Sequence, residues 1–292
     1  MKILHSETEL RAWRRSAGSE PVVLVPTMGA LHAGHGQLVR TARELAGAAG
    51  QVVVTVFVNP LQFGPNEDFS RYPRELKADA EKCAGAGADV VFAPSVEEVY
   101  ASDRSIIILE KSLSQVLCGA SRPGHFDGVC TVVAKLFNYV QPDVAVFGKK
   151  DAQQLAIIRR MVRDLNYPIV LHAAGTVREG DGLAMSSRNR YQGPDERAQA
   201  PALNAALRRV RAAWESGERD VERLLRVAAE HIAEHASLGR VDYLSLVDAE
   251  TLQPLVDAAG RDALMALAVF FGGARLIDNV ELPAKVISTR VP

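Results

Sequence analysis

The sequence predicts an α/β protein: a mostly parallel sheet with helices on both faces, followed by a smaller α+β domain. Three observations carry this. Val22–Val25, Gln51–Val58, Asp89–Phe92 and Asp143–Phe147 are short runs apolar on both faces, as strands buried between helices are. Helical patterns alternate with these runs over about 170 residues, which implies parallel strands joined by right-handed crossovers. After Thr176 the order changes to helices followed by strands.

Ser6-Glu7-Thr8-Glu9 reads as a capping box opening a short helix that carries Leu10 and Trp13 and ends near Gly18. Strand Val22–Val25 leads into Pro26-Thr27-Met28-Gly29-Ala30-Leu31-His32-Ala33-Gly34-His35, a strand-to-helix turn. Leu38, Ala42, Leu45 and Ala49 then mark an amphipathic helix over about 35–48. Beyond the strand Gln51–Val58, a turn-rich segment runs from Asn59 to Pro73, and a helix is expected over about 74–84. After strand Asp89–Phe92, the β-branched run Ser105–Leu109 reads as an edge strand or a β-excursion. The loop Ser121–Phe126 precedes a helix over about 129–140. Strand Asp143–Phe147 ends in Gly148-Lys149-Lys150-Asp151, a helix continues through Gln154, Ile157, Ile158 and Met161, and Ile169–Leu171 closes the series. This first part, residues 1–176, is a Rossmann-like domain. In such sheets ligands bind beyond the carboxyl ends of the strands at a switch point, where three of these polar loops are expected.

Residues 177–292 form the second, smaller domain. Its loop Val177–Gly182 is followed by Leu183–Asn189, then one long helix from Pro194 through Leu203, Leu207, Val210 and Trp214. A further helix covers Asp220 to His235, and strands are expected at Val241–Val247, Ala263–Phe270 and Ala274–Val280.

The bulk properties bound the function. The 292 residues carry 34 Lys+Arg against 35 Asp+Glu, a net charge of −1, which argues against a general nucleic-acid or membrane-surface binder. No apolar run reaches the roughly 18 residues of a membrane span. Met1–His5 lacks the apolar core of a signal peptide, and Cys83, Cys118 and Cys130 suggest neither a disulfide framework nor a Cys-rich metal site. A cytosolic, hence cytoplasmic, protein is expected.

The chemistry concentrates in a few loops. In His32-Ala33-Gly34-His35 two imidazoles stand at a helix start, where unpaired N–H groups and a partial positive charge favour anions. They suit charge building on a phosphoryl group. A turn with two incidental histidines, or a metal pair without a third ligand at zinc spacing, are the other readings. Lys150 and Asp151 suit phosphate and ribose or a magnesium water, or are simply a solvated lysine and a helix cap. Gln62 and Gln154 offer neutral amides to a small substrate bearing hydroxyl and carboxylate groups. Met185-Ser186-Ser187-Arg188, flanked by glycines, suits a mobile phosphate-binding loop or an ordinary interdomain loop. Arg122 and His125 read either as site residues or as turn chemistry.

Taken together, Pro26–His35, Phe57–Phe63, Tyr72-Pro73-Arg74, Arg122–Phe126, Phe147–Gln154 and Thr176–Arg190 resemble the pantothenate synthetase (pantoate–β-alanine ligase) family, in the family's order. The His-x-Gly-His turn alone indicates only the wider nucleotidyltransferase-like superfamily. The resemblance implies an ATP-dependent ligase: pantoate attacks the α-phosphorus of ATP, and β-alanine then attacks the pantoyl adenylate, giving pantothenate, AMP and pyrophosphate. It implies that Met28, Gly29, Ala30, Leu31, His32, Ala33, Gly34 and His35 cradle ATP, with His35 as proton donor. Gly148, Lys149, Lys150, Asp151 and Val177 would hold the nucleotide, and Met185, Ser186, Ser187 and Arg188 would close over its phosphates. His35, His32, Lys150, Ser186, Ser187 and Arg188 form the implied catalytic set. Gln62 would bind pantoate and β-alanine, and Gln154 pantoate. Asp79 is the candidate ligand for Mg2+; the neighbouring Ala78 cannot share that role, and Ala152 stands where the family often has Tyr. A homodimer is implied, with no nucleic-acid or membrane partner. Another His-x-Gly-His nucleotidyltransferase, or a non-catalytic nucleotide-binding module, are the alternatives.

Overall fold

The computed structural model describes residues 1–65 and 67–284. Asn66, inside the predicted turn-rich segment, and residues 285–292, at the end of the predicted second domain, lie outside the described residues. The chain divides into two compact units: residues 1–114, 122–149 and 154–177 form the first, and residues 115–121, 150–153 and 178–292 the second.

In chain order, residues 1–177 carry β1 (Lys2–Leu4), α1 (Glu7–Ser16), β2 (Val22–Thr27), α2 (Ala33–Ala46), β3 (Gln51–Val56), α3 (Leu76–Gly85), β4 (Val90–Phe92), α4 (Val96–Val99), α5 (Leu117–Ser121), α6 (His125–Val140), β5 (Val144–Gly148), α7 (Ala152–Asp164) and β6 (Val170–Ala174), of which α5 and the first residues of α7 belong to the second unit. The six strands lie in the order β1-β4-β3-β2-β5-β6, and every pairing is parallel. Val22 to Val25 and Val52 to Val54 are wholly buried, which is why these runs show no alternation of polar residues. Strand order reverses between β2 and β5, so the carboxyl ends of these two strands flank the switch point where open α/β sheets bind ligands. The Ser6/Glu9 capping box forms as the sequence predicts: Glu9 N–H reaches Ser6 Oγ at 3.2 Å, and the Ser6 N–H reaches Glu9 Oε2 at 3.1 Å.

Two expectations for this part are corrected. Ser105–Leu109 is not a strand. Its backbone is taken up by side chains of α6 instead: Ile108 N–H donates to Thr131 Oγ1 at 3.0 Å and Glu110 N–H to Asp127 Oδ1 at 3.0 Å. β-Branched residues favour extended backbone, but a strand also needs a neighbouring strand to pair with. Conversely, β1 was not expected. It is three residues long, pairs with β4 at the sheet edge and is mostly exposed, so it leaves no apolar pattern to read.

The second part carries α8 (Pro194–Gln199), α9 (Ala202–Glu215), α10 (Val221–His235), β7 (Gly239–Asp248), β8 (Ala263–Phe271) and β9 (Ala274–Leu282). The strands form an antiparallel sheet, β7-β8-β9. Leu207, Trp214, Leu224, Ile232, Met265 and Phe271 share its core, and the Trp214 indole N–H donates to the Pro283 carbonyl at 2.8 Å. The single helix predicted from Pro194 to Trp214 is two helices. Pro201 stands between them, where it lacks a backbone N–H and its ring crowds the preceding turn.

Candidate active site

At the carboxyl end of β2 the chain turns sharply. Gly29 has φ +82° and Ala30 φ +50°, both left-handed, and α2 starts three residues later with His32 as its N-cap. The glycine is needed twice over: for its φ, and because a Cβ there would lie 2.9 Å from Asp79 Oδ2. The two imidazoles are held by backbone. Gly34 N–H donates to His32 Nδ1 at 3.1 Å, and His32 N–H donates to His35 Nδ1 at 3.3 Å. An Nδ1 that accepts a hydrogen bond leaves the neutral ring's proton on Nε2. Both rings therefore present Nε2–H as a donor, with ring centroids 4.1 Å apart. Two preorganised donors at the start of a 14-residue helix suit an anion.

Beyond β3, the 3-10 turn Pro60–Gln62 carries the buried Gln62. Asn59 Nδ2 donates to Gln62 Oε1 at 3.0 Å, and Gln62 Nε2 lies 3.0 Å from Met28 Sδ, a weak acceptor. Asn59 is fully committed, with Nδ2 also on the Gly128 carbonyl at 3.0 Å and Oδ1 receiving Tyr100 Oη–H at 2.8 Å and Leu61 N–H at 3.2 Å. The Gln62 backbone carbonyl is held from α6. His125 Nδ1 is 2.8 Å from it, and Arg122 Nη1 lies 3.0 Å from His125 Nε2. A guanidinium only donates, so His125 Nε2 accepts and Nδ1–H points at Gln62. Arg122 also pairs bidentately with Glu67 at 2.6 Å. Burial pushes the Glu67 carboxyl up, but the Arg122 hydrogen bond and charge outweigh it and hold the group below its ordinary value. Gly128 allows α6 this approach: a Cβ there would sit 2.3 Å from the Leu61 carbonyl oxygen. Gln154, on α7, is half-buried.

In the second unit, Lys150 feels the charges of Asp151, Arg188 and Asp278. Burial lowers the Lys150 pKa and the Arg188 charge lowers it further, while Asp151 and Asp278 oppose both. A buried ammonium with a second cation in its field has the chemistry to receive phosphate oxygens. Asn279 Nδ2 fixes the Lys150 carbonyl at 2.8 Å. Ser186 caps the 3-10 turn Ser187–Tyr191 by accepting Arg188 N–H at 3.2 Å, so its hydroxyl oxygen is already aimed at backbone. The loop's base is tied: Arg178 pairs with Asp278 at 2.6 and 3.0 Å, Arg197 joins Glu179 and Asp181, and Asn189 donates to Glu179 at 2.6 Å. Gly148 ends β5 and Lys149 follows it, Asp151 is exposed just before α7, and Val177 and Met185 are half-buried.

Asp79 does not fit a metal ligand. It is fully buried, and its two oxygens accept the N–H groups of Ala30 and Leu31 at 2.9 and 2.8 Å. Among the described residues no group of three or more His, Cys, Asp or Glu is placed to hold a cation. Ala78 and Ala152 bring no acid or phenol to these positions.

The family model of pantoate–β-alanine ligase matches residues 2–281. The chain belongs to the pantoate–β-alanine ligase family. A pantothenate synthetase from Akkermansia muciniphila is 52% identical over 284 residues, covering 97% of this chain and 100% of the relative. The crystal structure of pantothenate synthetase from Thermus thermophilus superposes with a TM-score of 0.89 at 47% identity, over 97% of this chain and 100% of that one. A pantoate–β-alanine ligase from Francisella tularensis, complexed with β-γ ATP and β-alanine, superposes with a TM-score of 0.77 at 31% identity, over 96% and 97% of the two chains.

Within this ligase framework, sequence reasoning passed over Asn59, Tyr100 and Gly128 and left Arg122 and His125 undecided. A signal for Asn59 existed: Asn followed by Pro at the first position of a helical turn is a capping pattern. Tyr100 and Gly128 left none. They stand 41 and 69 residues from Asn59 along the chain, and only the fold brings them to it.

Proposed function

We propose that this ligase condenses pantoate with β-alanine through a pantoyl adenylate, with ATP as the activating substrate. The observation that carries the reading is the pair of Nε2–H donors fixed at the start of α2, beside the switch point of a parallel sheet. A pantoate carboxylate oxygen bonds to the α-phosphorus, and the bond to the bridging oxygen of the β-phosphate breaks, releasing pyrophosphate. The β-alanine amine then attacks the acyl carbonyl, loses a proton, and AMP departs. Neither step needs a covalent enzyme intermediate; positioning and stabilisation of phosphate charge carry the rate.

In this reading His32 and His35 donate to phosphate oxygens, with His35 also supplying a proton, while the backbone of Met28 to Gly34 lines the nucleotide. Gly148, Lys149, Asp151 and Val177 serve the adenosine, and Lys150, Ser186, Ser187 and Arg188, with Met185 beside them, serve the phosphates. Gln62 takes pantoate and β-alanine through its Nε2 donor face, and Gln154 takes pantoate. Since Asp79 does not fit a cation, magnesium enters as part of the nucleotide substrate. The family resemblance supports a cytoplasmic homodimer. Among the described residues, no helix is long and apolar enough to cross a membrane.

The test is turnover of pantoate, β-alanine and ATP with all products resolved. Pantothenate, AMP and pyrophosphate in equal amounts are expected. ADP and phosphate as products would overturn the adenylate route, and turnover independent of pantoate would point to a different nucleotidyl transfer.

A further inference from the structure

The turn that carries the two imidazoles is built in a conformation its own sequence does not favour. Glycine takes the left-handed region freely, but Ala30, at φ +50°, does not, and such a residue persists only where its surroundings over-determine it. Those surroundings are α3. The buried Asp79 carboxylate takes the Ala30 N–H on Oδ2 and the Leu31 N–H on Oδ1. Three residues on, and so on the same helix face, Lys82 Nζ donates to the Leu31 carbonyl at 2.7 Å. One peptide later His32 caps α2, its Nδ1 receiving Gly34 N–H while its own N–H reaches His35 Nδ1. The orientation and tautomer of both rings therefore depend on where residues 30 and 31 are held.

We infer that Asp79, seconded by Lys82, is a positioning residue that holds the left-handed Ala30 and the Leu31 backbone that follows it, and through them aims the His32 and His35 Nε2–H donors. It touches neither substrate nor metal. The alternative chemistry for a carboxylate near polyphosphate is cation binding, and the geometry opposes it, since both oxygens already serve backbone donors and the group has no exposed surface. The link to catalysis rests on the ligase reading above, whereas the link to the imidazoles does not.

The test uses the full-length protein and three substitutions. Asp79→Asn turns an NH2 group toward a backbone N–H and breaks one arm of the hold. In the free protein, the 15N shifts of His32 and His35 report their tautomers. We expect both rings on the Nε2–H tautomer in the wild type, and a mixed population in Asp79→Asn. In turnover we expect kcat to fall about 10- to 100-fold, with the magnesium concentration for half-maximal rate unchanged. Adding Ala30→Gly to Asp79→Asn should recover part of that loss, because glycine adopts the turn without being held. Should Asp79→Asn fail to fold, Lys82→Met, which keeps the stem and removes the donor, should show the same tautomer change in weaker form. Unchanged histidine tautomers overturn the inference. So does an Asp79→Asn rate restored by excess magnesium, the signature of a lost cation ligand. An inactive wild type with the expected tautomer change would instead sink the ligase reading and leave the positioning role standing.

Discussion

Asn59 donates its side-chain N–H to the side-chain oxygen of Gln62 at 3.0 Å, and this decides which end of the Gln62 amide remains for a substrate. Asn59 cannot turn over, because its oxygen holds Tyr100 Oη–H and Leu61 N–H. Gln62 accordingly presents Nε2, a donor suited to a carboxylate or a hydroxyl oxygen. Asn59→Asp replaces the donor with an acceptor facing an acceptor. The expected result is a rise of about 10-fold or more in the KM for pantoate, from a buried group left unpaired, with ATP binding little changed. Titration of ATP and initial rates against pantoate check it; an unaltered pantoate KM would separate Asn59 from the substrate amide.

Removing His35 should stop the first half-reaction without unfolding the protein. Its ring is half-buried and bonded to local backbone, so His35→Ala deletes one phosphate donor and leaves the hydrophobic core intact. Loss of one preorganised donor costs about 100- to 1,000-fold in kcat. Pyrophosphate release in a single turnover with pantoate and ATP is the measurement, with circular dichroism as the folding control. Near-normal release would take His35 off the catalytic list.

Lys150 predicts an alkaline limb. Burial and Arg188 lower its pKa below the ordinary 10.5, so the proton leaves at lower pH than from a solvated lysine. The charged form is the one that attracts phosphate. Rising pH should therefore weaken ATP binding as this proton is lost, and acidification should restore it. Lys150→Met should bind ATP weakly at every pH and lose the limb. A limb that survives this substitution belongs to another group.

Gly128→Ala should damage both stability and substrate binding. The new Cβ would meet the Leu61 carbonyl oxygen at 2.3 Å and the Gln62 nitrogen at 2.7 Å, and backbone cannot swing aside as a side chain does. About 1–3 kcal/mol of stability should go, read by chemical denaturation, together with a raised KM for pantoate. A variant as stable as the wild type would mean that α6 and the Pro60–Gln62 turn separate easily.

How much was legible follows physical range. Buried strands such as Val22–Val25 and Val52–Val54 announce themselves through unbroken apolar runs, and the Ser6/Glu9 box through two side chains three residues apart. The edge strand β1 has no such run, and Pro201 splits a helix that the apolar spacing around it had joined. Ser105–Leu109 has strand-forming residues without a strand beside it, which no local pattern reveals.

The sequence by itself determined the parallel-sheet framework, the His-x-Gly-His turn at a strand end and the loops that suit a nucleotide and a small acid, because each depends on neighbours within a turn or two of the chain. Only the tertiary structure decided how those groups are aimed. Asp79 lies 49 residues from Ala30 and yet sets its backbone, and Lys150 feels Arg188 across 38 residues. Hydrogen bonds and charges act over a few ångströms of space, and the fold alone fixes which residues come that close.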